Sequence, residues 1–370
     1  MLTNPKRRAS KKKQLTARKE SIEWDGARIF VEIARSGSFR SAADALGLSF
    51  TAVQRRLDRL ERGLDMTLLT RHVDGVRLTA EGEQVLIAAQ RMEAASFELM
   101  RSQNLDTGAQ FGQVKLGVTE GLGTFWITPH LAEYQKRHAD ISVHLLCGMP
   151  SVDVLRLEAD LAVQLIRPSA KDLKLVKLGR LHAMPFATKD YISRYGMPKS
   201  VADLENHRVV MQIADQIVKV DDFPLDLKTA LQKANIPIVA NMSSTHYSAV
   251  LNGTGLSNLP TYVAAFDKRL VPIDIGVRAE HDIWLVYHPD SGRITRVHQM
   301  IDWLVEIFSS KSYPWFGDKF IHPRDLPSLD TGQLSSCMQQ IDFASRPPEP
   351  QRMREESNME KPGKPRTRPR

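Results

Sequence analysis

Between residues 24 and 82 the apolar positions are spaced so that short helices separated by tight breaks are what buries them. Ile29, Phe30 and Ile33 form one helical stripe, which Ser36-Gly37-Ser38 interrupts. A second short helix follows, with Ala42, Ala43 and Leu46 as small and apolar core positions. Gly47-Leu48-Ser49 makes the next turn, and Ser49 is a good N-cap for a third helix. That helix carries Val53, Leu57, Leu60 and Leu64 on a single buried face. Its other faces hold Thr51, Gln54, Arg55, Arg56, Arg59 and Arg62. Amide and hydroxyl groups near the N-terminus, with guanidinium groups beside them, suit a helix that reads a DNA groove and holds phosphates. Periodicity alone fits two amphipathic helices of an ordinary all-α protein equally well, with the arginines simply solvated. The downstream pattern favours DNA: Leu68-Leu69-Thr70-Arg71, then His72 to Arg77, then Leu78-Thr79 predicts a two-stranded wing. Thr79 then caps a helix through Glu81, Val85, Ala88, Met92 and Ala95 to about Arg101.

The order and spacing of Phe30, Gly37-Ser38-Phe39, Ala42-Ala43, Leu46, Ala52-Val53, Leu60-Glu61, Leu64, Leu68, Arg71, Leu78-Thr79 and Gly82 resemble the LysR-type transcriptional regulators. Three positions depart from that pattern. Phe50 stands where the family usually has Gln early in the recognition helix, Gln54 replaces a small Ser, and Asp65 replaces the Gly after Leu64. An aromatic ring at Phe50 cannot hydrogen-bond a base edge but can pack on a thymine methyl. The resemblance therefore implies DNA contacts from Ser38, Phe50, Thr51, Gln54, Arg55, Arg56 and Arg59, with Arg71 and Arg77 in the wing, at an unusual target sequence.

The net charge of +8 does not itself indicate nucleic acid, because its distribution is terminal. Residues 1–23 hold eight basic groups (Lys6, Arg7 and Arg8 among them) against two acidic ones, and 345–370 hold eight against four. The middle is near neutral. The N-terminal arm either adds salt-sensitive phosphate contacts or is a disordered solubilising tail. It has no apolar region behind it, so no secretory signal is expected, and no apolar run approaches the roughly 20 residues that cross a bilayer. A cytoplasmic chain without membrane contact is expected. Cys147 and Cys337 are far apart and unaccompanied, which argues against a disulfide framework or a zinc site; Cys147, ending the run ISVHLL, is expected to be buried. No metal or cofactor is implied.

From Gln113 the texture becomes alternating strand and helix. VKLGV, ISVHLL, LAVQLI, VKLGRLHAMPFAT, RVVMQI, IPIVA, VPIDI and DIWLVYH read as strands. ITPHLAEYQKRH, PSVDVLRLEA, DLKTALQKA, SSTHYSAVLNG and ITRVHQMIDWLVEIFSS read as helices. Such alternation predicts βαβ units and a mostly parallel sheet. The family resemblance continues through Leu131, Tyr134, His138, Ile141 and Val143, through Glu158 to Ala162, Tyr191, Gly196-Met197-Pro198 and Asp203-Leu204, and through Gly253 to Leu256 with Leu259-Pro260. It spans about residues 24–308.

The fold expected is thus an all-α winged helix-turn-helix plus a long linker helix, then an α/β effector domain of two subdomains like the periplasmic binding proteins. The boundaries expected are a basic arm (1–23), the DNA-binding domain (24–82), a dimer-forming linker helix (79–105) and an effector domain (112–310). Within the last, subdomain I covers about 112–187 and 268–310, and subdomain II about 188–267. An extension (311–370) is disordered after 345, with Tyr313, Trp315, Phe316 and Phe320 pinning its start onto the body.

A ligand cleft in such a body lies at strand C-termini, where helix N-termini present free N–H groups. Thr119 and Ser151 are candidates to hold a carboxylate-type effector, or are helix N-caps and no more. Glu120 argues against a simple anion site, because its charge would repel one. Gln164, Gln212 and Thr245 come from other strand or helix ends. His130, His138, His144 and His182 are scattered without catalytic spacing, and GLGTFW is not a phosphate loop, so no enzyme is expected. The partners implied are double-stranded DNA, a small-molecule effector, a second copy in a homodimer or homotetramer, and RNA polymerase. The other reading kept is a small-molecule-binding or enzymatic body with a degenerate, non-specific DNA-binding domain.

Overall fold

The computed structural model describes residues 23–73, 75–103, 112–217 and 222–326. The basic arm, most of the Gly/Gln-rich break, Cys337 and the tail after 345 lie outside the described residues.

Helix α1 (Trp24–Ser36) stops at Gly37, whose φ of 66° is left-handed. Ser38 caps α2 (Phe39–Leu46) by accepting from the Arg40 and Ser41 amides. Ser49 caps α3 (Phe50–Leu64) by accepting from Ala52 N at 3.2 Å. Strands β1 (Leu69–His72) and β2 (Gly75–Leu78) pair antiparallel as the expected wing. The wing is fastened to the α1–α2 turn: Val76 N donates to Gly37 O at 3.1 Å. A Cβ at Gly75 would lie 2.8 Å from that same oxygen, and φ there is 136°, so only glycine fits. Ile29, Phe30 and Ile33 pack with Val53, Leu57 and Leu60 in one core, which Ala89 of α4 (Ala80–Gln103) completes. Thr79 Oγ1 accepts from Gly82 N (2.9 Å) at the start of α4. One flank of α4 leaves Ala88, Met92, Ala95 and Leu99 exposed as a continuous apolar stripe.

The α/β part begins with β3 (Gly112–Thr119), which runs into helical turns at Glu120–Leu122 and a π turn at Gly123–Ile127, continuing as α5 (Thr128–Arg137). There follow β4 (Ile141–Gly148), β5 (Leu161–Gln164), the long β6 (Lys174–Thr188) and α6 (Lys189–Tyr195). Next come β7 (Arg208–Gln212), α7 (Leu225–Lys233), β8 (Asn235–Ala240) and α8 (Ser243–Leu251). The chain then returns through β9 (Ser257–Pro260), β10 (Leu270–Pro272), β11 (Ala279–Tyr287) and α9 (Thr295–Ile307).

The main sheet has the order β10-β6-β11-β5-β3-β4, with β9 also paired to β6. It is mixed rather than mostly parallel: β3 runs parallel to β4 and β5, while β11 and β6 run antiparallel to all their neighbours. The reason is the connection from β5 to β6, which holds no helix and is too short for the crossover a parallel neighbour needs. A second, smaller sheet pairs β7 with β8 in parallel, so the body has two subdomains.

Two further expectations are corrected. Residues 151–159 form turns instead of a helix, because Asp153 Oδ1 accepts from Leu155 N (2.9 Å) and Arg156 N (3.2 Å) and Leu157 takes a left-handed φ of 60°. Cys147 is exposed, since β4 is the edge strand of its sheet. Among the described residues no helix is long and apolar enough to cross a membrane.

The start of the C-terminal extension folds onto the body as its aromatics predict. Trp126 is fully buried and donates from Nε1 to Ile307 O at 3.1 Å. Around its ring stand Tyr313 (4.7 Å between centroids), Phe316 (4.9 Å) and Trp315 (5.7 Å). Gly179 of β6 admits this segment, because a Cβ there would meet Phe316 O at 2.6 Å. Trp315→Ala is expected to lower the unfolding free energy of the body by about 3–5 kcal/mol, read as a lower urea midpoint with unchanged slope.

Candidate DNA-binding and effector sites

The first candidate surface is built by α3 and the wing. Thr51 and Arg55 are exposed near the start of α3, with Gln54 half-buried beside them. Phe50 is 47% exposed and tilts against Phe39, centroids 6.0 Å apart, while the Arg71 guanidinium lies 4.7 Å over the Phe39 ring. Phe39, Phe50 and Arg71 therefore form one contiguous unit joining wing to α3. Arg56 and Arg59 form exposed pairs with Asp25 (3.7 Å) and Glu23 (3.0 Å). Such exposed pairs are worth little. Among the described residues no ion pair engages Arg55, and Arg77 is exposed on β2. Ser38 spends its side chain on the α2 cap. Arg40, exposed in the first turn of α2, is a cation on this domain that the sequence reading passed over.

Behind this unit sits a cluster of four charges. Arg35 of α1 reaches Glu32 (2.7 Å) and Glu93 of α4 (2.8 Å), both of which are almost fully buried. Arg156, from the turns after β4, reaches the same two carboxylates at 3.1 and 3.6 Å. Nothing in the local sequence pattern marks these four as a group.

The second candidate site is a cavity of about 180 Å³ between the two subdomains. Its floor is β6, through Leu181, Ala183 and Pro185, and its far wall comes from β7, α7 and α8. Thr119 and Gln212 both line it, and both are internally bonded. Thr119 Oγ1 donates to Gln216 Oε1 (3.0 Å), and Gln212 Nε2 donates to Ser243 Oγ (2.9 Å). Gln216, 4% exposed, also accepts from Leu165 N (2.9 Å) and donates to Met149 O (2.8 Å), so one amide ties three strand ends together.

The remaining effector candidates sit off the cavity. Glu120 is buried behind Thr119. Gln164 donates to Ile166 O at 2.6 Å. Ser151 is exposed on the turns where a helix was expected. Thr245 is exposed because α8 turns about 100° per residue, which puts Ser243, His246 and Tyr247 on the cavity face and Thr245 on the other. Asn258, Phe125 and Tyr262 also line the cavity and were missed, because each comes from a distant segment with no local signal.

A winged helix-turn-helix joined by a long helix to a two-subdomain α/β body is the architecture of a DNA-binding regulator with a ligand-binding half. The sequence profile described as "LysR substrate binding domain" matches residues 107–309, and that of "Bacterial regulatory helix-turn-helix protein, lysR family" matches 24–83. The chain belongs to the LysR family of transcriptional regulators. An HTH-type transcriptional regulator of Xanthomonas campestris is 32% identical over 62% of this chain and 67% of its own length. A probable HTH-type transcriptional regulator of Klebsiella pneumoniae, LtrA, is 27% identical over 75% and 92%. Among solved structures, the Vibrio cholerae virulence activator AphB aligns over 77% of this chain and 99% of its own, with a TM-score of 0.48 and 17% identity.

One lining residue gives the cavity wall a pH dependence. Ser257 Oγ donates to Val210 O (2.5 Å), so it accepts from His246 Nε2–H (2.6 Å), which fixes the neutral tautomer. Burial lowers the His246 pKa to about 4, with the Val210 backbone acting in the opposite direction. Unfolded histidine titrates near ~6.5. Between those values the unfolded chain binds the extra proton, so this contribution is complete above about pH 6.5 and is lost as pH falls toward 4. Unfolding measured across that window should show His246→Gln flattening a slope of up to about 1.4 kcal/mol per pH unit.

Proposed function

We propose that the chain binds a specific operator through Arg55, Gln54, Thr51 and Phe50, with Arg71 and Arg77 on the flanking phosphates or minor groove, and that a small molecule in the cavity controls this binding. The domain division at 24–82, 79–105 and 112–310 goes with this reading. The observation that carries it is a route from the cavity to the helix-turn-helix made of hydrogen bonds, a short stretch of chain and ion pairs. Gln216 bonds Thr119 inside the cavity and Met149 at the end of β4. Seven residues further on, Arg156 pairs with Glu32 and Glu93 of the helix-turn-helix and linker. A ligand that moves Gln216 thereby loads the contact that orients the DNA-binding helices.

The exposed stripe Ala88, Met92, Ala95 and Leu99 of α4 favours a homodimer through the linker helices, presenting two recognition helices to successive major grooves. Homotetramers and RNA polymerase contacts follow the same family logic, as does a cytoplasmic location.

The chain acts in this reading as a regulator without catalysis. His130 is bonded to Trp126 O and Tyr313 Oη, His138 stacks on Tyr134, and His182 bonds Gly317 O, so these rings serve packing. The other reading, a degenerate DNA-binding domain, is not favoured, because Phe50 and Asp65 are accommodated. Phe50 pairs with Phe39, and Asp65 closes α3 in the left-handed conformation (φ 57°) that the family's glycine would take.

Arg55→Ala should weaken binding to the operator recovered by genome-wide immunoprecipitation by about 5- to 100-fold at physiological salt; unchanged affinity in a gel shift excludes the assignment. Arg156→Ala should leave ligand binding in the cavity intact while removing the ligand's effect on operator affinity. A variant that keeps the full response shows that the four-charge cluster is not the route.

A further inference from the structure

Several groups beside the cleft that would receive an anion are already engaged within the chain. At the N-terminus of α8, Ser244 N donates to Glu120 Oε2 at 3.1 Å, and Thr124 Oγ1 donates to the other carboxylate oxygen at 3.2 Å. The helix end thus holds a carboxylate of its own. Gly121 makes this approach possible: a Cβ there would meet Ser243 Oγ at 2.8 Å and Ser243 Cβ at 2.9 Å. The hydroxyl of Thr119 is given to Gln216, and that of Ser243 accepts from Gln212. A carboxylate ligand has either to displace Glu120, which is 4% exposed, or to sit beside its charge.

The lining offers no compensation. Among the described residues around the cavity there is no lysine or arginine, and no aspartate or glutamate either. Its two histidines, His246 and His281, are both held toward the neutral form by burial. The larger part of the wall is apolar, from Leu122 and Phe125, Leu181, Val210 and Leu259. A cavity of about 180 Å³ is on the scale of the ~150 Å³ apolar cavity that admits a benzene ring.

Asn258 lines the cavity and carries a buried side-chain oxygen, Oδ1, without a partner among the described residues. It stands on β9 opposite Pro185. A buried acceptor left unpaired is costly, and a ligand that brings a donor to it recovers that cost.

We infer that the cleft takes an uncharged, largely apolar molecule of single-ring size carrying one hydroxyl or N–H donor for Asn258, and that it rejects carboxylates. This rests on the reading of the cleft as the effector site and names the chemistry of what enters it. Asn258 is the specificity-determining residue, Glu120 the group that excludes anions.

The test uses the full chain with three probes: benzyl alcohol, toluene and benzoate. Binding is read from the isotope-labelled methyl signal of Met211, which lines the cavity. Benzyl alcohol is expected to move that signal saturably, toluene more weakly, and benzoate at the same concentration not at all. Asn258→Leu should weaken benzyl alcohol about tenfold and leave toluene unchanged, which also reports that the cavity has stayed intact. Glu120→Gln should admit benzoate. Benzoate moving the Met211 signal of the unaltered chain as readily as benzyl alcohol overturns the neutral class while leaving the cleft as the ligand site. Equal weakening of benzyl alcohol and toluene by Asn258→Leu overturns the role of Asn258. No movement with any of the three overturns both the class and the reading of the cleft.

Discussion

Strand β6 pairs with β11 along most of its length and with β9 and β10 at its C-terminal end, and the geometry of the α/β body follows from that register. Ala183 lies opposite both Pro260 and Ala279, and Pro185 lies opposite Asn258. A slip of one residue would turn each of these side chains to the other face. The cavity floor and the place of Asn258 beside it are therefore set by backbone hydrogen bonds, before any side chain is chosen. The same strand takes the aromatic extension against Gly179 and delivers the chain into the second subdomain at Thr188.

Charge in this protein is confined by pairing. Glu120 is held at a helix N-terminus, and Glu32 and Glu93 are shared between Arg35 and Arg156. Buried carboxylates are expensive unless ion pairs and hydrogen bonds compensate them, and each of these is held by more than one partner. Their positions differ in consequence. Glu120 lies beside Thr119 at the cleft, whereas the four-charge cluster ties α1 and α4 to the turns that follow β4. Gln216 stands between the two, bonded to Thr119, Leu165 and Met149.

The helix-turn-helix was legible in sequence because its information is local. Gly37 and Gly47 take left-handed conformations, Ser38 and Ser49 cap, and Val53, Leu57 and Leu60 fall inside at helical spacing. Each of those outcomes depends on neighbours a few residues away. The expected helix at 151–159 failed for an equally local reason: Asp153 offered the backbone a turn in place of a helix. Sheet direction was less legible, because alternating strands and helices do not say whether a strand without a crossover helix will return antiparallel.

The sequence by itself determined most of the elements, the wing, the family and the aromatic anchor of the extension, because periodicity, capping residues and turn glycines act over a few residues. It also placed Thr119 and Gln212 at strand ends. Only the tertiary structure decided which strand ends meet. It brought Gln216 to Thr119 across 97 positions and Glu120 to Ser244 across 124, and left Ser151 and Thr245 facing away from the cavity. Those contacts arise from strand register and the close approach that Gly121 allows, and long-range packing of that kind has no periodic trace in the chain.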